Sequence, residues 1–109
     1  MKDTEEIINS LQKFRDDRDW KQFHNAKDLA IAITIEAGEL LELFLWKKPD
    51  EADKERVKEE LADLLAFAFL LADKYSFDVK QIILEKLKIN SDNYPIEKAK
   101  GTAKKHNEL

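Results

Sequence analysis

The sequence predicts an all-α fold, a four-helix bundle completed by oligomerisation. Only two glycines and two prolines interrupt its 109 residues, and its charged residues recur at helical spacing rather than in the alternation of a strand. With 43% hydrophobic residues the chain can build one domain with a core, yet it is small enough that much surface stays uncovered.

Four start signals set the elements, each pairing a capping side chain with an acid or amide three residues on. Asp3 with Glu6 opens a helix over 3–19, and Asn25 with Asp28 opens one over 26–46. Asp50 with Asp53 opens the third over 50–75, and Asp78 with Gln81 the fourth over 78–93. Pro49 closes one gap and Pro95 ends the last helix, because proline disfavours helical geometry in the residue before it. The expected organisation is one helical domain over 1–95 and a tail over 96–109. That tail is basic, with Lys98, Lys100, Lys104 and Lys105 against Glu97 and Glu108.

The same composition excludes several classes of function. Without cysteine there is no disulfide framework and no thiolate metal site, so a metal here is a hard cation held by oxygen or one that uses the two histidines. The start, MKDTEEII, is charged and lacks an apolar signal core, which makes the cytoplasm the expected location. The most apolar run, 61–72, contains Asp63 and falls short of the roughly 20 residues that a membrane helix needs. A net charge of -4 argues against a nucleic-acid polymer as partner, since such binding rests on clustered positive charge.

The middle of the chain carries the chemistry. The second helix, AKDLAIAITIEAGELLELFLW, is apolar almost all round yet contains Glu36, Glu39 and Glu42. Glu36 and Glu39, three apart, project from one face, and Glu60 and Asp63 repeat the device on the third helix. Buried carboxylates this close repel one another unless something positive sits among them. No basic residue lies between Lys27 and Lys47 or between Lys58 and Lys74. An all-oxygen site for Mg²⁺, or for Mn²⁺, answers the problem. A di-iron carboxylate bundle would need Glu-x-x-His steps, and neither His24 nor His106 follows a glutamate by three. Glu42, Glu51, Glu55 and Glu59 read as solvated helix charges.

EAGE at 36–39 and EELAD at 59–63 resemble the E-x-x-E and E-x-x-D signature of the MazG-like all-α nucleotide pyrophosphohydrolases. RDWKQFH at 18–24, ELFLWK at 42–47 and KINSDNYP at 88–95 are similar to segments of the dCTP pyrophosphatase branch, in the same order. The resemblance implies hydrolysis of a (deoxy)nucleoside triphosphate, dCTP or a related dNTP, to the monophosphate and pyrophosphate. It implies Glu36, Glu39, Glu60 and Asp63 as magnesium ligands, with Glu39 and Glu60 catalytic and Glu39 the preferred acceptor of the attacking water's proton. It further implies substrate contacts from Trp20, His24, Trp46, Asn90, Tyr94 and Lys98, the two tryptophans flanking the base. Phe67 stands where members of that branch carry a tyrosine. If the second helix runs to Trp46, that ring lies about 10 Å along the axis from Glu39, and Trp20 is then expected from a neighbouring chain.

Helices apolar nearly all round need more cover than this chain supplies, so a homodimer or homotetramer is expected. The rival readings are a pyrophosphohydrolase for another nucleotide, such as dUTP or phosphoribosyl-ATP, and a non-enzymatic helical interaction module whose acids are incidental.

Overall fold

A computed structural model describes residues 2–109, and no strand occurs among the described residues. They form two compact units, one running to Phe77 and one from Asp78 to Leu109.

The first unit holds α1 (Lys2–Asp17), α2 (Ala26–Glu42) and α3 (Lys54–Lys74). α1 carries Asp3 and Glu5 in its first turn and Arg15 in its last, each sign opposite to the helix dipole it meets. Asn25 caps α2 by accepting the Asp28 N–H at 2.8 Å, while its own amide donates to the Asp28 carboxylate at 2.8 Å. In the second unit Asp78 caps α4 (Val79–Asn93) in the same way, accepting the Gln81 N–H at 2.9 Å. Both starts fall where the capping residues place them.

Three boundaries differ from the sequence expectation, each for a local reason. α1 stops at Asp17 instead of 19, because Asp19 takes a positive φ of 56° and the Trp20 N–H folds back onto the Arg15 carbonyl. α2 stops at Glu42 instead of 46. There the N–H groups of Leu43, Phe44 and Leu45 bond three residues back, tightening the chain, and Trp46 at φ 62° turns it away. The third start is displaced too: Pro49–Glu51 forms a separate 3₁₀ turn, Ala52 and Asp53 are extended, and Asp53 rather than Asp50 caps α3 through the Glu55 and Arg56 N–H groups.

α3 runs along α2 and also meets α1. Leu29 of α2, 2% exposed, and Leu70 and Ala72 of α3 are the buried side chains of this unit. Ile31, Ile35 and Leu41 on α2 and Leu61 and Leu65 on α3 remain about half exposed. In the second unit Val79 is buried, and α4 is followed by a short α5 (Ile96–Ala99) and a 3₁₀ turn at His106–Glu108. No helix among the described residues is long and apolar enough to cross a membrane.

Candidate active site

The acid pairs reach one another because α2 and α3 pack lengthwise. Each of Glu36, Glu60 and Asp63 offers a carboxylate oxygen, and these oxygens lie within 4.8 Å of one another. Glu36 and Glu60 are half-buried, whereas Asp63 is exposed. Glu39 lies outside this triad, one helical step from Glu36 on α2.

Nothing in the described chain neutralises the cluster: none of the four acids makes an ion pair with a lysine or arginine. Oε2 of Glu36 and Oε2 of Glu60 are both buried without a hydrogen-bond donor. The Glu36 carboxyl responds by holding its proton up to about 7. Desolvation is the main cause, followed by hydrogen bonding of the protonated form to Glu60 and Glu39 and the negative charges of Glu39 and Asp63. Orphaned buried oxygens in an all-oxygen set, with no basic partner, fit a hard divalent cation.

Beside the acids, Asp63 also lines a cavity of about 300 Å³ whose other walls include Phe14, Arg15, Trp20, His24 and Phe67. The Trp20 ring meets Phe14 edge-on at 5.8 Å, and His24 meets Phe67 edge-on at 6.3 Å. Burial, and then the positive charges of Arg15 and Lys74, push the pKa of His24 below the ordinary histidine value. Its Nδ1 is buried without a partner.

Trp20 thus shares a cavity with Asp63 inside its own chain and needs no neighbouring chain to reach the acids. Trp46 does not join it. With α2 ending at Glu42, the projection of that ring along the helix axis no longer applies, and the side chain is 100% exposed. Asn90, Tyr94 and Lys98 all belong to the second unit. There the Asn90 carbonyl accepts the Tyr94 N–H, the Tyr94 ring meets His106 edge-on at 5.8 Å, and Lys98 is exposed on α5. Arg15 is the wall residue that the sequence reading missed. The available signal was its place four residues after Leu11 on α1, one helical turn along the same face.

The MazG-like family model matches residues 31–109. The chain belongs to the MazG-like family. This MazG-like chain is 36% identical to the dCTP pyrophosphatase 1 of Mus musculus and to that of Homo sapiens, over 96% of its own length and 66% of theirs. It therefore spans about two thirds of the length of these relatives. A crystal structure of a pyrophosphatase from Archaeoglobus fulgidus superposes with a TM-score of 0.78 at 37% identity, covering 84% of this chain and 91% of that one.

Proposed function

We propose that this MazG-like chain is an enzyme, a divalent-metal-dependent nucleoside triphosphate pyrophosphohydrolase that releases a monophosphate and pyrophosphate, with dCTP or a related dNTP as substrate. The observation that carries the reading is the uncompensated acid cluster, whose buried Glu36 and Glu60 oxygens have no protein donor. The dCTP pyrophosphatases among its relatives support the substrate class.

In this reading Glu36, Glu60 and Asp63, with Glu39 beside them, hold Mg²⁺, and Mn²⁺ suits the same oxygen set. When bound, the cation supplies charge neutralisation for the triphosphate and for the leaving pyrophosphate. Glu39, exposed and outside the triad, accepts the proton of the attacking water, and Glu60 fixes the geometry around the phosphates. The base enters the apolar cavity beside Asp63, where Trp20 and His24 form part of the wall. Trp46 stacks on the base from outside; within the second unit, Asn90, Tyr94 and Lys98 are substrate-contact residues by the family resemblance alone.

The half-exposed leucines and isoleucines of α2 and α3 support assembly into a homodimer or homotetramer, which would also cover Trp46. Removal of surplus nucleotides in the cytoplasm suits such an activity. The test is pyrophosphate release from each common dNTP and NTP, with Mg²⁺ and with chelator. Metal-dependent release from at least one deoxynucleotide is expected, and none from any nucleotide would overturn the reading.

A further inference from the structure

Arg15 sits in the last turn of α1 with only 12% of its side chain exposed. Its Nε donates to Asp16 Oδ1 at 2.8 Å, and no other acceptor among the described residues engages the guanidinium. One edge of the fork is therefore paired with a solvent-facing carboxylate, and the Nη1 and Nη2 edge has no protein acceptor. These donors have no protein acceptor and keep some contact with solvent, so a ligand with matching acceptors can take the place of that water.

The surroundings define that ligand. Arg15 lines the apolar cavity together with Phe14, Trp20, Phe67 and Asp63, so a planar ring seated among these aromatics meets a cation. It also lines an adjoining polar cavity with Lys21, Lys74 and Asp73, so basic groups outnumber acids around it. At about 300 Å³ the apolar cavity is at the small end of ligand sites, a size that suits a single pyrimidine ring.

We propose that Arg15 is a specificity-determining residue that reads the substrate base, favouring cytosine through paired hydrogen bonds from Nη1 and Nη2 to its N3 and O2. The proposal rests on the pyrophosphohydrolase reading above. Cytosine presents two adjacent acceptors, the pattern a guanidinium fork matches. Uracil and thymine carry a hydrogen on N3, which would face the fork donor to donor. Guanine has an acceptor pair on its O6 and N7 edge but needs a larger cavity.

The test compares kcat/KM for dCTP, dUTP, dTTP and dGTP in the wild type, Arg15→Gln and Arg15→Lys. The dCTP to dUTP ratio should fall roughly 5- to 150-fold in both variants, because the fork geometry and not the charge is what is lost. A misfolded variant would lower all four rates together, so the ratio isolates recognition. Should the variants not fold, the wild type still decides the matter: 3-deaza-dCTP, which has a carbon in place of N3, should lose a comparable factor. An active wild type with an unchanged ratio in the variants, with no penalty for the 3-deaza base, or with dGTP as its best substrate overturns the role of Arg15 alone. A wild type that releases pyrophosphate from no nucleotide overturns the enzymatic reading instead, and this one with it.

Discussion

Because Glu36 holds its proton up to about pH 7, a divalent cation entering the cluster must displace that proton, and metal binding is coupled to pH. The perturbation is a change from pH 8 to pH 6. Glu36 is about nine-tenths ionised at the first and about one-tenth at the second, so the apparent Mg²⁺ affinity should fall about tenfold. Each unit below pH 6 should weaken it about tenfold more. Proton release should run the other way, from about 0.1 per bound ion at pH 8 to about 0.9 at pH 6. Calorimetric titration in two buffers of different ionisation enthalpy measures both quantities. Stability follows with a definite sign. The folded-state pKa is raised from the usual 4.5 to about 7, so the native state binds the extra proton between these values. The resulting stabilisation of the metal-free protein is complete below pH 4.5 and is lost as pH rises through about 7. Added Mg²⁺ should raise the melting temperature most above pH 7, where the repulsion is largest. Glu36→Gln should remove the part of the pH dependence of melting that falls near pH 7. A Mg²⁺ affinity that does not vary between pH 6 and 8, with no proton released, would show that the cation does not displace a proton from Glu36.

Glu39→Gln and Glu60→Gln should each abolish hydrolysis while leaving the helical circular dichroism intact, since each removes one charge without emptying volume; activity retained in both would end the metal-site proposal. Trp46→Ala should raise KM for the best dNTP roughly 5- to 150-fold, from the 1–3 kcal/mol typical of base stacking. kcat should change little, because binding equal in ground and transition states acts on KM alone. An unchanged KM in the folded variant removes Trp46 from the base site. Sedimentation at micromolar concentration should find a dimer or tetramer, and a species of 12.8 kDa would contradict the argument from exposed apolar surface.

The fold class and two of the helix starts were legible because they depend on local chemistry. Asn25 and Asp78 each have a backbone N–H three residues on to satisfy, and few glycines or prolines intervene. The meeting of Glu36 with Glu60 and Asp63 was legible for a similar reason: paired acids at one helical step on two apolar helices meet when those helices pack side by side. The end of α2 was not. LELFLW keeps a helical pattern through Trp46, and the tightening that ends the helix at Glu42 is set by backbone geometry that side-chain periodicity does not encode. Asp50 and Asp53 both qualify as caps by composition, and the 3₁₀ turn begun by Pro49 decides between them. Arg15 reads in the sequence as an ordinary charge at the end of a helix, favourable to the dipole. Its enclosure follows from the chain folding back at Asp19 and from the approach of α3, both of which are tertiary events.

An acid cluster that serves as proposed leads to cleavage between the α and β phosphates of a nucleoside triphosphate. Phosphorus NMR of the dCTP reaction with Mg²⁺ tests it most directly, because the bond that breaks is read from the products. The wild type should give dCMP and pyrophosphate in equal amounts, and Glu60→Gln should give neither. Appearance of dCDP with inorganic phosphate, or an unchanged triphosphate after incubation with each of the common dNTPs and NTPs in turn, would contradict it.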